Sequence, residues 1–391
     1  MTTAPKIGYL VPQFPGQTHI FFWREIAEME KRGAQVRIFS TRPPPKGLIA
    51  HDWSTVAMDR TRYLGAVKPL AALTALPAVP WAELAQMPRD IALSLSAARQ
   101  LVTACRAENI AHVHVHSCGR AALIAALAHR LGGPTYSLTL HGPLQDYGPG
   151  QRFKWRGARF ATIITEKLLA EVQIELAGDL PPRLLIQPMG VDTETLRRAA
   201  AYVPVGSGET LRLFSCGRLN IVKGHQDLMA AVRLLLDRGQ PVMLNIAGED
   251  DDGGTGYRQV LQARIAELNL GAHVRLLGAI DADAVKAHLI NAHAFVLASW
   301  AEPLGVALME AMSCEVPTIG TAAGGVAELI TDGVDGVLVP PRDPVALADA
   351  IAQLAHDPAR AIRLGQAGRA RIVAGFHAGL GAETLIREIG R

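Results

Sequence analysis

The sequence has little cysteine and no spacing that would use it. Its four cysteines, Cys105, Cys118, Cys216 and Cys314, stand far apart with no C-x-x-C pair. That excludes a disulfide framework and a cysteine-based zinc site, and it suits a reducing compartment. Long apolar runs are missing too. The nearest candidate, Leu64 to Leu84, is broken by Lys68, Glu83, Pro69, Pro77 and Pro80, so no span of ~20 residues is expected. The apolar stretch after Lys6 is interrupted by Pro12, Gln13 and Pro15, which argues against a signal peptide. The expectation is a cytoplasmic chain that could touch the inner face of a membrane. No G-x-G-x-x-G follows the first predicted strand, where Val11-Pro12-Gln13-Phe14-Pro15-Gly16 stands instead. That disfavours a dinucleotide dehydrogenase. Strong net charge is also absent, at +3, but the balance is uneven. Residues 1–200 carry 23 Lys and Arg against 15 Asp and Glu, and the remainder 16 against 21. A uniformly basic nucleic-acid binder would not look like this, and the acidic second half would repel a polyanion.

What is present is apolar residue, 49% over 391 positions, enough for two sizeable cores. Short β-rich runs alternate with helical patterns, the signature of parallel α/β architecture. In the first half, Lys6 to Leu10, Gln35 to Phe39, His112 to His116, Thr135 to Leu140 and Ala161 to Thr165 read as strands. Helices are expected at about Thr18 to Lys31 and Arg120 to Leu131, with extra helices in Ala66 to Glu108. The pattern restarts at Leu211 to Cys216 and continues through strands at Val242, Val274, Ala294, Thr318 and Val337. The reading is two doubly wound Rossmann-like domains, 1–200 and 205–374, facing across a cleft. A last segment, 375–391, holds a helix from about Ala382. Such sheets bind ligands outside the carboxyl ends of their strands.

Two strings carry chemistry. The first is Gly217-Arg218-Leu219-Asn220-Ile221-Val222-Lys223-Gly224, directly after a predicted strand. Arg offers a planar fork and Lys a compact charge, a pair suited to a diphosphate. The second is Glu302-Pro303-Leu304-Gly305-Val306-Ala307-Leu308-Met309-Glu310-Ala311-Met312. Gly305 permits close backbone approach, the helix start offers free amides, and the carboxylates of Glu302 and Glu310 accept hydrogen bonds from sugar hydroxyls. Gly324-Gly325-Val326-Ala327-Glu328 and Asp332-Gly333-Val334-Asp335-Gly336 read as turns shaping the wall of the site.

These strings, with G-G-V-A-E-L-I-x-D-G-x-x-G-x-L-V-P-P-x-D-P, resemble family 4 glycosyltransferases, retaining enzymes of GT-B fold. The match runs almost continuously from Leu211 to Ala355. The resemblance implies a nucleotide-sugar donor, UDP- or GDP-linked. Arg218 and Lys223 would bind its diphosphate, with Gly217 beside them. Glu310 would hold the ribose, Glu302 the donor sugar, and the amides of Leu304, Gly305 and Val306 would lie nearby. Leu277, Gly278 and Ile280 would meet the base. In the first half, Gln13-Phe14-Pro15-Gly16-Gln17-Thr18, Phe22-Trp23-Arg24-Glu25-Ile26 and Thr139-Leu140-His141-Gly142 look like the colanic-acid and exopolysaccharide subgroup. That implies Gly16 near the diphosphate, His141 near the donor sugar, and a glycan or polyprenyl-diphosphate-linked acceptor. The final helix would return to the first domain. No metal or cofactor is implied, and no general base is assigned.

Other candidates receive plainer readings. His112, His114 and His116 share one strand face, but ~6–7 Å spacing is wide for ligands of one metal ion, and His114 and His116 are expected to reach the cleft at the strand end without metal. Glu249-Asp250-Asp251-Asp252-Gly253-Gly254 reads as a solvated turn rather than a metal-diphosphate site. Arg152, Lys154, Trp155, Arg156, Arg159 and Phe160 read as a helix with aromatics inside and cations outside, or as a lipid-phosphate patch. Asp227, Glu25 and His225 are acid or base candidates that spacing does not pair. The rival functions are a GT-B phosphorylase or sugar-nucleotide epimerase, and a non-catalytic sugar-nucleotide-binding partner.

Overall fold

The computed structural model describes residues 5–16, 19–44 and 52–391. Thr18, the expected start of the first helix, lies outside them; the helix runs Ile20–Lys31. The chain divides into two units. One takes the described residues before 45, Trp53–Pro188 and Gly379–Arg391; the other takes Asp52 and Met189–Ala378 among the described residues.

The first unit holds a sheet of seven parallel strands: β1 (Lys6–Gln13), β2 (Gln35–Arg42), β3 (Thr61–Tyr63), β4 (His112–Val115), β5 (Thr135–Leu140), β6 (Ala161–Ile163) and β7 (Leu184–Ile186). Their order is β3-β2-β1-β4-β5-β6-β7. Helices cover both faces, so the strands read as continuous apolar runs; Ile7, Tyr9, Leu10 and Val11 are all fully buried. The second sheet has six parallel strands: β8 (Leu211–Cys216), β9 (Val242–Ala247), β10 (Val274–Gly278), β11 (Ala294–Leu297), β12 (Thr318–Thr321) and β13 (Val337–Val339). Its order is β10-β9-β8-β11-β12-β13. Strand order therefore reverses between β1 and β4, and again between β8 and β11. At such a switch point the loops diverge and leave a crevice.

Three features differ from expectation. β3 and β7 are three-residue strands at the sheet edges, too short to leave a periodic signal. Residues 189–200, expected in the first domain, belong to the second unit. Arg198 donates to the carbonyls of Cys314 and Ile290, and the Ser313 hydroxyl donates to Leu196 O. The last helix spans Ala378–Gly390, four residues earlier than its expected start. Its residues from Gly379 on join the first unit, where Ala382 and Leu385 enter a core with Ile7, Tyr9, Phe22 and Ile26.

The apolar segment after Leu64 forms a short helix (Pro69–Leu73), one 3-10 turn (Leu76–Ala78) and a long helix (Pro88–Glu108). The long helix stops at Asn109, whose φ of 55° is left-handed, a conformation asparagine tolerates.

Candidate functional site

In the second unit, the two motif strings meet because their strands are neighbours. β8 pairs with β11 at Leu213–Ala294 and Phe214–Phe295, so the loops that follow leave the sheet side by side. Asn220 caps the turn Ile221–Lys223, its side chain accepting from Lys223 N at 3.2 Å. At Gly224 φ is +66°, and a Cβ would lie 1.9 Å from Ala298 O. Only glycine lets these two loops close. Trp300 N donates to Val222 O (2.7 Å), and Trp300 Nε1 donates to Asp227 Oδ2 (2.5 Å). The Arg342 guanidinium covers the Trp300 ring at 4.1 Å. Asp227 thus anchors the second loop.

The closed loops bring Lys223 to Glu302. Lys223 Nζ donates to Glu302 Oε2 at 2.5 Å, and Ser299 Oγ donates to the same oxygen at 3.1 Å. Glu302 is buried, and a buried carboxylate persists only with such partners. Its backbone is held as well. Gly324, at φ +66°, leaves no room for a Cβ against Glu302 O, and Gly325 N donates to that oxygen at 3.0 Å. The glycine pair expected to shape a wall therefore fixes Glu302 itself.

Around this pair stand the other expected residues. Gly305, φ +97°, caps the helix Val306–Ser313, with Leu304 buried behind it. Glu310 is buried on that helix close to Cys216. Burial first, and then the Glu310 charge, pushes the Cys216 thiol up to about 12. Arg218 is half-exposed, with a long 3.9 Å approach to Asp251. Gly217 N donates to Ala247 O, and Gly248 N donates to Gly278 O. Leu277 and Gly278 end β10, and Ile280 follows them.

The acidic run is not a simple solvated turn. Asp250 is buried and accepts from four amides, those of Asp252, Gly254, Gly256 and Arg258, at 2.7–3.1 Å. Burial alone would raise its carboxyl, yet these bonds hold it below the usual range. Glu249 pairs with Arg258. The run is a loop scaffold built on one carboxylate.

In the first unit, His112 and His114 are tied to hydroxyls of β5 rather than left open at a strand end. All three histidines of the β4 region are buried against β5. His112 bonds Thr135 and Ser137 at 2.8 Å each. His114 bonds Ser137 at 2.7 Å and Thr139 at 2.8 Å. His116, just past the strand, turns to His141, with His116 Nδ1 and His141 Nε2 3.1 Å apart. Its other nitrogen lies 2.7 Å from Glu25 Oε2. Burial pulls His112, His116 and His141 down to about 3, and His114 well below its ordinary value. Gly16 follows β1, where a Cβ would strike the His19 ring.

The helix Gln151–Arg156 buries Phe153 and Trp155 as expected, but Lys154 is buried with them. Its ammonium donates to Tyr147 O at 3.0 Å, because the short helix turns this side chain back into the unit. Arg152 and Arg156 are both bonded to Asp179, at 2.8 and 2.6 Å.

Residues 206–371 match the family described as glycosyl transferases group 1, and residues 19–171 match the glycosyl transferase 4-like domain. The chain belongs to the glycosyl transferases. It is 31% identical over 202 residues to a glycogen synthase of Mycobacterium tuberculosis, covering 52% of this chain and 47% of that one. It is 31% identical over 194 residues to the GDP-mannose-dependent alpha-(1-6)-phosphatidylinositol monomannoside mannosyltransferase of Mycolicibacterium smegmatis, covering 46% and 50%. The chain thus spans about half the length of the curated relatives it matches. The solved structure of Anabaena HepE in complex with UDP-glucose superposes with a TM-score of 0.77 at 18% identity, covering 98% of this chain and 99% of that one. That likeness establishes the fold, which is GT-B.

Within this glycosyl transferase, the group 1 region gathers Gly217, Arg218, Lys223, Glu302, Leu304, Gly305, Val306 and Glu310 at the β8/β11 switch point. Leu277, Gly278 and Ile280 stand at the same strand ends, two positions along at β10. His141 and Gly16 stand at the carboxyl ends of β5 and β1 in the first unit. Sequence reasoning overlooked Ser299 and the pairing of Glu25 with His116. The alternating histidines were the available signal, but nothing in their spacing says which carboxylate faces them.

Proposed function

We propose that the chain transfers a sugar from a UDP- or GDP-linked donor, with retention at the anomeric carbon. The acceptor is a glycan or a polyprenyl-diphosphate-linked glycan in exopolysaccharide assembly of the colanic-acid type. The observation that carries this is Lys223, held on the buried Glu302 beside the half-exposed Arg218. Two cations at a switch point suit the diphosphate of a nucleotide sugar. As the glycosidic bond breaks, negative charge builds on the leaving diphosphate, and cations that grip it harder there lower the barrier. Glu310 takes the ribose hydroxyls, Glu302 and the amides of Leu304, Gly305 and Val306 the donor sugar, and Leu277 to Ile280 the base. His141 serves the donor sugar and Gly16 the diphosphate from the first unit. Lys223 and Arg218 supply the positive charge, and no resident metal or cofactor is proposed. The complex of HepE with UDP-glucose supports a nucleotide-sugar donor, and the mannosyltransferase's name supports a lipid-linked acceptor.

The test is a thermal-shift screen of UDP, GDP and ADP sugars, followed by nucleoside diphosphate release with a glycan acceptor. Tight ligands raise the melting temperature by mass action. A shift with one nucleotide and acceptor-dependent release are expected. Phosphate-dependent glycan breakdown without any nucleotide shift would instead make the chain a phosphorylase. A shift without turnover would make it a binding partner.

We further propose contact with an anionic membrane. No helix among the described residues is long and apolar enough to cross one. Val67, Leu70, Leu73 and Trp81 are exposed, and no acidic residue lies between Leu64 and Ala82. Such side chains suit an interfacial depth. The protein should sediment with anionic vesicles at low salt, and Leu70→Glu/Leu73→Glu should abolish this. Wild-type protein left in the supernatant would overturn the reading.

A further inference from the structure

Glu25 is placed as no surface carboxylate is. It projects from the helix Ile20–Lys31 toward β1 and the residue after β4. Tyr9 O–H donates to its Oε2 at 2.6 Å, and His116 Nε2 approaches the same oxygen at 2.7 Å. The approach is bent from the ideal ring N–H direction. The contact lies outside hydrogen-bond geometry, but an oxygen carrying negative charge at that distance favours a hydrogen rather than a lone pair on Nε2. The final helix closes the cage. A Cβ at Gly381, in its first turn, would lie 2.6 Å from Glu25 Oε1. Burial leaves the Glu25 carboxyl raised above its ordinary value, and the nearby His114 and the Tyr9 hydroxyl offset only part of that rise.

With Glu25 ionised, the bonds run one way. Oε2 then carries charge and no hydrogen, so the Nε2 of His116 that faces it holds the ring hydrogen. A neutral His116 then has a bare Nδ1, which can only accept. Its 3.1 Å partner, His141 Nε2, must donate. The remaining nitrogen, His141 Nδ1, is left bare. It is buried and has no hydrogen-bond partner among the described residues. Phe21 and Phe22 pack at 5.6 and 5.8 Å from the His141 ring and hold its plane. Burial keeps both imidazoles neutral at ordinary pH, as this wiring requires.

We propose that Glu25 is a positioning residue that acts through His116 to fix the tautomer of His141. Its bare Nδ1 is then a hydrogen-bond acceptor for a hydroxyl of the donor sugar. The last step rests on the transferase reading above; the tautomer itself does not. A protonated Glu25 would reverse every bond in the chain and leave the hydrogen on His141 Nδ1. The two states are chemically opposite. One accepts from a hydroxyl, and the other donates to an oxygen.

The experiment is nitrogen-15 NMR of histidine-labelled wild-type protein, with His141 assigned by its loss in His141→Gln. A pyridine-type Nδ1 and a pyrrole-type Nε2 are expected. The reverse pattern overturns the proposal whether or not the protein transfers sugar. Glu25→Leu removes the acceptor, and the His141 tautomer should become mixed or reversed. The kcat should then fall about 10–100-fold, as when a group orienting a site histidine is lost. The thermal shift produced by UDP alone should not change. Glu25→Gln keeps an oxygen for Tyr9 and His116 and should restore both the tautomer and most of kcat. Equal losses in the two variants would reduce Glu25 to a structural charge. If Glu25→Leu does not fold, the wild-type and Glu25→Gln spectra decide the wiring alone.

Discussion

Lys223→Ala will lower sugar transfer by about 10³-fold, the loss seen when one preorganised electrostatic partner of a developing charge is removed. It will also cost stability. Glu302 is buried with Lys223 on one carboxylate oxygen, so the variant strands a charge that keeps, among the described residues, only the Ser299 hydroxyl on that oxygen. Breaking such a pair from one side costs about 3 kcal/mol or more. The double variant Lys223→Ala/Glu302→Ala removes the stranded charge, so it should regain much of that stability and recover no activity. The two residues act as one unit, and their kinetic losses should be far from additive. Denaturant unfolding and initial rates on the three variants test this. Normal turnover in Lys223→Ala would remove the pair from the mechanism. A double variant no more stable than the single one would show that the stranded carboxylate is not what destabilises it.

Acidification will unfold the protein well before its carboxylates are titrated. His112, His116 and His141 are held at about 3, His225 and His293 at about 4, and His114 lower still, in each case chiefly by burial. In the unfolded chain each titrates near 6.5. Above that pH both states are neutral and stability is full. Below it the unfolded state takes up protons that the native state refuses, so stability falls as pH drops toward the folded values. Each group contributes up to ~1.4 kcal/mol per pH unit in that window. Four of the six, His112, His114, His116 and His141, lie in the first unit's ladder and at its end. By pH 5 the combined loss from these four is on the order of 8 kcal/mol, comparable with the whole stability of a domain. Urea unfolding at pH 7 and pH 5, followed by tryptophan fluorescence, reads this. Trp23, Trp53, Trp81 and Trp155 belong to the first unit and Trp300 to the second. The signal should therefore report early loss of the first unit. A stability unchanged between the two pH values would mean that the ladder is not held neutral.

Much of the architecture was legible because parallel strands buried on both faces must be short, apolar and followed by helices. Ile7 to Val11 and Val242 to Ala247 could hardly be anything else. Legibility failed where an element is short or where burial runs against residue type. β3 and β7 have too few residues to show a period. Lys154 carries a charge that normally marks the surface, yet its ammonium is satisfied by a backbone carbonyl inside the unit. Asp250 looked solvated because its partners are backbone amides, which no sequence pattern displays. The loop glycines are a middle case. Gly224 and Gly324 stand in the motif strings, but each is required by a carbonyl remote in sequence, that of Ala298 and that of Glu302 respectively.

Two repeated α/β patterns, the uneven charge of the halves, and the strings that hold Arg218, Lys223, Glu302 and Glu310 can all be read from the chain alone. Local spacing and composition suffice for these, since each string follows its own strand. Which groups meet is a matter of folding. β8 and β11 are far apart in the chain, yet they are hydrogen-bonded neighbours in the sheet. That adjacency carries Lys223 onto Glu302. In the first unit, the packing of the helix Ile20–Lys31 against β1 and β4 carries Glu25 onto His116. Both are contacts between ionisable residues remote in sequence, and both lie inside the protein. Burial makes them strong and selective there, and the fold alone supplies the burial.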